Sequence, residues 1–185
     1  MANKKNIVRR IKSAVISVSD KSNLKPLLQT LNRYNVKLIS SGGTFKAIRK
    51  LGYRCLEVSD YTGFNEILDG RVKTLHPKIH AGILNKRNNN SHKREIKKNN
   101  FQNIDLVIVN FYPFEKTLNT TKNHNKIIEK IDIGGPALVR SAAKNYNDVA
   151  VITSINQYSA LIDQLKRFKG ATKLEFRKKL SQSAF

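Results

Sequence analysis

The sequence is poor in cysteine, in acidic residues and in long apolar runs, and each shortage excludes a class of protein. The single cysteine, Cys55, allows no disulfide within the chain and no cysteine-based zinc site. No stretch reaches the roughly 18 apolar residues of a membrane-spanning helix. No apolar segment follows the basic N-terminus, which argues against a secretory signal. We therefore expect a cytoplasmic protein that makes no contact with a membrane.

The shortage of acidic residues leaves a large positive charge. The chain has 35 lysine and arginine residues against 13 aspartate and glutamate residues, a formal charge of +22. Such a charge is typical of nucleic-acid binders. However, lysine outnumbers arginine about two to one, whereas arginine is the usual residue for bidentate contacts with phosphate and bases. We expect weak, salt-dependent binding of polyanions and no specific nucleic-acid partner.

Apolar, β-branched runs alternate along the chain with segments that have apolar residues at helical spacing. A chain of 185 residues suffices for one domain with a sizeable core. The alternation predicts an α/β fold of three layers, a parallel sheet with helices on both faces. Predicted strands cover residues 13–19, 36–40, 53–58, 106–110 and 148–153. Predicted helices cover residues 20–33, with Asp20 as the N-cap, and 41–51, 125–131, 136–145 and 157–168.

The ends of the chain differ from its middle. We divide it into a basic N-terminal extension (1–11), an α/β domain (12–170) and a tail (171–185). Within the domain, the polar segment 85–100 predicts a surface loop and a short exposed helix. The tail predicts a helix whose apolar face docks back, frays or promotes association. That face consists of Leu174, Phe176, Leu180 and Phe185.

Polar residues follow three of the predicted strands at the point where each strand ends. In open parallel sheets, ligands bind beyond the carboxyl ends of the strands. These residues therefore predict a polar pocket at that edge. They are Ser17, Ser19 and Lys21 after the first strand, Ser41, Gly42, Gly43 and Thr44 after the second, and Asn110 and Tyr112 after the strand at 106–110.

Residues 41–44 open a predicted helix and have two interpretations. Backbone N–H groups and the helix dipole favour an anion there, and glycine allows close approach of a phosphate. An ordinary strand-to-helix turn has the same pattern, and a lone Gly-Gly pair favours that simpler interpretation. Lys21 is likewise either a second contact for an anion or a solvated lysine.

The glycines at 134 and 135 mark another helix start, with proline at the first helical position. Asp132 lies just before it, and the pattern supports helix capping and catalysis equally. His76 and His80 weakly suggest a metal, but no cluster of cysteine or carboxylate ligands completes a site, so we expect no metal. Cys55 falls within a predicted strand and is interpreted as a core residue.

Taken in order, eight runs of the chain resemble one known family. They occupy residues 17–21, 41–44, 62–64, 70–77, 80–83, 110–114, 131–136 and 141–145. From about Lys12 onward the chain is similar to the IMP cyclohydrolase part of the bifunctional purine-biosynthesis protein, which also contains an AICAR formyltransferase. The resemblance implies the methylglyoxal-synthase-like fold, a homodimer, and a reaction that needs no metal or cofactor. That reaction closes FAICAR (5-formamidoimidazole-4-carboxamide ribotide) to IMP with loss of water.

The resemblance also implies roles for individual residues. Lys73, Tyr112, Asp132 and Lys144 match the family's catalytic positions. Asp132 would be the base, Lys73 and Tyr112 would stabilise or protonate the formyl oxygen, and Lys144 would support that charge or tune Asp132. A continuous helix from Pro136 to Lys144 would, however, separate its two ends by roughly 12 Å.

The implied substrate-binding residues come from the same runs and would hold the phosphate, ribose and base. They are Ser17, Ser19, Lys21, Ser41, Gly42, Gly43, Thr44, Arg71, Thr74, Asn110, Gly134 and Gly135.

The family continues into a formyltransferase domain, whereas this sequence ends where the tail matches the junction. We therefore expect a truncated product or a separate formyltransferase chain as partner. The alternative is a nucleotide-sensing regulatory domain of the methylglyoxal-synthase-like class, which would need only the phosphate contacts. Methylglyoxal synthase itself fits less well, because the runs at 70–77 and 110–114 are cyclohydrolase-like. A decaying gene is a further alternative, against which the complete site motifs argue.

Overall fold

The computed structural model describes residues 8–111 and 122–184, and its centre is a five-stranded parallel sheet. The strand order is β4-β3-β2-β5-β6, and β2 lies in the middle. The chain runs from β2 outward to β4 and then returns to the other side of β2 as β5. The strands of this sheet are β2 (Ser13–Val18), β3 (Lys37–Ser40), β4 (Leu56–Glu57), β5 (Leu106–Asn110) and β6 (Ala150–Ile152).

The helices of the described residues fall between and after these strands. None of them is long and apolar enough to cross a membrane. They are α1 (Leu24–Arg33), α2 (Gly42–Lys50), α3 (Val58–Thr62), α4 (Pro77–Leu84), α5 (Asn90–Lys98), α6 (His124–Ile128), α7 (Gly134–Lys144), α8 (Tyr158–Arg167) and α9 (Leu174–Ser183), with a short 3₁₀ turn at Ile155–Gln157.

Both faces of the sheet are covered, as the strand composition predicts. Successive side chains of a strand point to opposite faces, yet β5 is buried from Leu106 through Val109 and all of β6 is buried. Contacts join α1 to α8, and α4 and α9 to α7. The three-layer α/β prediction is therefore confirmed. Because the strands are parallel, all their carboxyl ends lie at one edge of the sheet.

Two predicted boundaries were wrong. Asp20 does not cap α1, which begins at Leu24 after Asn23. The carboxylate of Asp20 instead accepts a hydrogen bond from the N–H of Ser22 at 2.8 Å, so residues 20–22 form a turn. The strand predicted over 53–58 is reduced to β4, an edge strand whose two residues pair with the end of β3.

The two ends of the described chain meet in a second, antiparallel sheet. Its strands are β1 (Val8–Arg10) and β7 (Ala171–Lys173). The predicted division of the chain at residues 11 and 170 stays a prediction, but the flanking segments contact each other. The tail helix α9 packs on α7 and β6, with Leu180 buried and Phe176 against the core. Of the three outcomes expected for the tail, docking is the one observed; Phe185 lies outside the described residues.

Arg177 fixes the tail helix to the domain. Its guanidinium is fully buried and donates hydrogen bonds to the backbone carbonyls of Tyr146, Asn147 and Thr172. Burial lowers the pKa of Arg177 to about 10. The hydrogen bonds offset part of the cost of removing a charge from water. They also satisfy the carbonyls of Tyr146 and Asn147 in the turn that follows α7.

Candidate functional site

An open pocket of about 700 Å³ lies at the carboxyl edge of the central sheet. This size falls within the range typical of small-molecule sites. Its position beside β2, where the direction of strand progression reverses, is the place at which open α/β sheets bind ligands. The lining residues are Ser17, Val18, Ser19, Lys21, Ser41, Gly42, Gly43, Thr44, Asp69, Gly70, Arg71, Lys73, Thr74, Leu75, Asn110, Ile128, Glu129, Lys130, Ile131, Asp132, Ile133, Gly134 and Gly135.

Two polar side chains in the pocket form hydrogen bonds with the backbone at the end of β2. Thr44 is buried, and its hydroxyl both accepts from the N–H of Val18 (3.1 Å) and donates to its carbonyl (2.9 Å). The amide oxygen of Asn110 accepts from the N–H groups of Ser19 (2.6 Å) and Asp20 (2.9 Å). Thr44 and Asn110 therefore shape the pocket by fixing the end of β2.

Two helices begin at the pocket and direct their N-termini into it. The first, α2, starts at Gly42 with a φ of +53°, and the Ser41 side chain makes no capping hydrogen bond. The second, α7, starts at Gly134. Helix N-termini present N–H groups without intrahelical acceptors and a partial positive charge. The N-terminus of α2, which the Ser41 side chain does not cap, favours an anionic ligand.

A short hairpin places two cations in the pocket. Ile67 and Val72 form an antiparallel bridge, and Leu68, Asp69 and Gly70 between them have positive φ angles. Arg71 follows this turn and forms an ion pair with Glu129. The hydrogen bond between them raises the pKa of Arg71 and lowers that of Glu129.

Lys73, at the base of the same hairpin, has its own carboxylate partner. Its Nζ lies 2.8 Å from Oε2 of Glu66. The side chain passes over Gly70, where an added Cβ would lie 2.5 Å from Cε of Lys73. Because φ is +84° at Gly70, the backbone conformation favours glycine there, and a larger residue would also displace the end of the Lys73 side chain.

Asp132 caps the second pocket helix. Its Oδ1 accepts a hydrogen bond from the N–H of Gly135 at 2.9 Å. A Cβ on Gly135 would overlap Oδ2 of Asp132, and one on Gly134 would lie 2.5 Å from Oγ1 of Thr74. The two glycines thus allow Asp132 and Thr74 to approach α7 closely. Capping is observed, and it also holds the carboxylate in the pocket.

Most of the predicted site residues meet in this pocket. Every predicted substrate-binding residue lines it, as do Lys73 and Asp132. Lys144 does not: it is exposed at the last residue of α7, about 15 Å along the helix from its start. Tyr112 lies outside the described residues. The pocket's acidic partners, Glu66 and Glu129, were missed, because neither stands in a run with a chemical signature.

The histidines and the cysteine do not form a metal site. Among residues 8–111 and 122–184, no group of three histidine, cysteine or acidic side chains could hold a metal ion. Nδ1 of His80 lies 3.0 Å from the hydroxyl of Ser141 on α7, and burial lowers the pKa of the imidazole. Nδ1 of His76 accepts from the N–H of Lys78 as the N-cap of α4. Cys55 packs against the core, and burial raises the pKa of its thiol to about 12.

Comparisons with known proteins agree with this architecture. The MGS-like domain model matches residues 23–137, and the AICARFT/IMPCHase bienzyme model matches residues 142–185. The chain is 47% identical over 177 residues to the bifunctional purine biosynthesis protein PurH of Bradyrhizobium diazoefficiens. It is 53% identical over 174 residues to PurH of Prochlorococcus marinus. These alignments cover 96% and 93% of the chain but 33% of each relative, so the chain spans about a third of their length.

A solved structure matches the chain over nearly its whole length. The crystal structure of ForH superposes with a TM-score of 0.83 at 32% identity, covering 95% of this chain and 92% of that one. The pocket therefore lies in a fold shared with a protein of similar size. From these matches, the chain belongs to the family of MGS-like domains and corresponds to the N-terminal part of the bifunctional PurH proteins.

Proposed function

We propose that the chain is an IMP cyclohydrolase, which closes FAICAR to IMP with loss of water. One observation carries the proposal: Lys73 and Asp132 share a pocket into which two helix N-termini point. The N-terminus of α2 suits the substrate's phosphate, while the lysine and the carboxylate suit proton transfer at its ring. The similarity to PurH proteins supports the same reaction.

The proposed reaction needs orientation and proton transfer. The carboxamide nitrogen attacks the formyl carbon of the same molecule, forming a C–N bond. The carboxamide nitrogen and the formamido nitrogen each lose one proton. The formyl oxygen takes up two protons, and its C–O bond breaks so that it leaves as water. Because both groups are carried by one ring, holding the reactive conformer supplies much of the acceleration.

Asp132, Lys73 and Tyr112 have separate proposed roles in these proton transfers. The capping bond of Asp132 uses Oδ1, which leaves Oδ2 for the substrate. Asp132 either accepts the proton from the carboxamide nitrogen or orients its N–H group. Lys73 stabilises the formyl oxygen as negative charge develops there. We propose Tyr112 as the second group at that oxygen, by resemblance alone.

Lys144 is the fourth proposed catalytic residue, and its distance from Asp132 makes it the one most in need of a test. Lys144→Ala should reduce turnover far more than substrate binding. Wild-type turnover in that variant would remove Lys144 from the mechanism.

The assembly is also proposed on indirect support. We propose a homodimer, because large apolar residues are exposed beside the pocket and are available for burial by a second copy. Sedimentation velocity would test this. We also propose a formyltransferase, linked to the chain or on another chain, and a cytoplasmic location; the similarity to bifunctional PurH proteins supports the formyltransferase. The exposed residues include Ile67, Leu68, Leu75, Ile128, Ile131 and Ile133.

The decisive experiment follows IMP formation from FAICAR by the purified chain in the presence of a chelator. Formation of IMP that is lost in Lys73→Ala, with an unchanged melting temperature, would support the proposal. Binding of IMP in calorimetry without turnover would refute it and favour a nucleotide-sensing domain. The chelator tests the expectation that no metal takes part.

A further inference from the structure

The base of the pocket hairpin brings Glu66 opposite Lys73. Ile67 and Val72 each donate a backbone hydrogen bond to the other's carbonyl, at 3.3 and 3.4 Å. In an antiparallel register the next pair outward is Glu66 and Lys73, and directly opposite residues of a hairpin interact across it. Hairpin geometry therefore produces the 2.8 Å ion pair.

The ion pair fixes the lysine at a particular place. An added Cβ on Gly70 would lie 2.7 Å from Nζ of Lys73, and one on Gly42 would lie 3.7 Å from it. The ammonium group therefore lies between the hairpin and the first residue of α2. This is the end of the helix at which an anion is expected to bind.

That position is unfavourable for a cation on its own. The N-terminus of α2 carries partial positive charge, which repels an ammonium group. The side chain of Lys73 is 31% exposed and has solvent into which it could extend. Among the described residues, Glu66 is the carboxylate that forms an ion pair with Lys73. Its charge offsets the repulsion and keeps the ammonium group in the pocket.

We propose that Glu66 is a positioning residue, which holds Lys73 where the formyl oxygen becomes negative during ring closure. The proposal rests on the cyclohydrolase function proposed above. Glu66 acts through Lys73 and takes no part in the chemistry itself. Its loss should therefore affect the rate of the chemical step more than the binding of substrate.

The first test is Glu66→Gln, which keeps the length of the side chain and removes its charge. We expect kcat to fall by about 10- to 100-fold, as displacement of a catalytic group by about 1 Å can produce, while KM changes by less than about 3-fold. Glu66→Asp keeps the charge and should recover part of the loss. Glu95→Gln on α5, outside the pocket, is the matched control and should behave as wild type. Wild-type kcat in Glu66→Gln would overturn the proposal.

A double-mutant cycle separates positioning from a general structural role. In a Lys73→Met background, Glu66→Gln should lower kcat by less than about 2-fold, because its effect passes through the missing ammonium group. An equal fold loss in both backgrounds would overturn the proposal.

A measurement without turnover keeps this test independent of the proposed function. Acetylation of Lys73 by acetic anhydride, followed by peptide mass spectrometry, should proceed several-fold faster in Glu66→Gln than in wild type. An unchanged rate would overturn the positioning role even if the wild-type chain forms no IMP. Wild type without IMP formation, but with faster acetylation in the variant, would refute the cyclohydrolase function alone.

Discussion

The contact between Gly135 and Asp132 yields the sharpest prediction of this structure. Replacing Gly135 with alanine adds a Cβ that overlaps Oδ2 of Asp132 and lies 3.2 Å from Cγ1 of Val109 on β5. The Asp132 carboxylate must then move by roughly 1 Å to reach an ordinary van der Waals distance. Such a movement weakens the 2.9 Å capping bond to the Gly135 N–H.

The expected cost follows from those contacts. Loss of an N-terminal cap costs about 1 kcal/mol, and crowding of a packed site costs about 1–3 kcal/mol. The higher helix propensity of alanine returns up to about 1 kcal/mol. We expect a net loss of about 1–3 kcal/mol, which for a chain of this size lowers the melting temperature by about 2–12 °C. If Asp132 is the base, turnover falls by about 100-fold as well.

The assay is thermal unfolding of Gly135→Ala, of Asp132→Ala and of the double variant. Removing the carboxylate removes the overlap, so Gly135→Ala should cost less than half as much in the Asp132→Ala background. Gly43→Ala is the control, because an added Cβ there meets nothing within 4 Å and should stabilise α2 by about 0.5 kcal/mol. Equal costs of Gly135→Ala in both backgrounds would refute the reasoning.

Three further predictions concern buried groups. Burial lowers the pKa of His80 from its usual 6.5, so as the pH falls the unfolded chain is protonated at this residue before the folded chain is. The free energy of unfolding, measured with urea, should therefore fall below pH 6.5. This fall should be smaller in His80→Gln. An equal loss in that variant would contradict the assignment. Arg177→Met leaves three backbone carbonyls without their donor and should lower the free energy of unfolding by about 3 kcal/mol or more. Thermal unfolding would measure this loss. The control is Lys178→Met at an exposed position, which should leave stability almost unchanged. Cys55 is half-buried against the core, and burial raises the pKa of its thiol to about 12. It should react slowly with Ellman's reagent in the folded protein and quickly in denaturant. Rapid reaction in the folded state would contradict that shielding.

Much of the fold could be predicted because strand and helix patterns are local. The buried strand at Leu106–Asn110 has the predicted bounds, since an apolar β-branched run has few alternatives. The edge strand β4 was overestimated because pairing, which sequence does not show, decided its length. The start of α1 was misjudged for a similar reason: Asn110, about 90 residues away, binds the backbone at Ser19 and Asp20.

Some residues of the candidate site could likewise be predicted from the sequence, and others could not. The pocket residues after β2 and β3 could be predicted, because parallel strands bring their carboxyl ends to one edge whatever the details of packing. The carboxylate partners of Arg71 and Lys73 could not be predicted. Glu129 reaches Arg71 across 58 positions of the chain, and Glu66 faces Lys73 only because of a hairpin with left-handed residues at its turn.

The sequence by itself therefore determined the α/β class, the sheet edge at which the pocket lies and most of the residues that line that pocket. Those features depend on local periodicity and on strand direction. The tertiary structure alone decided that Glu129 pairs with Arg71, 58 positions away, and that Asn110 binds the backbone at Ser19 and Asp20, about 90 positions away. Contacts of this kind depend on distances of a few ångströms between segments remote in the chain, and residue patterns do not encode them.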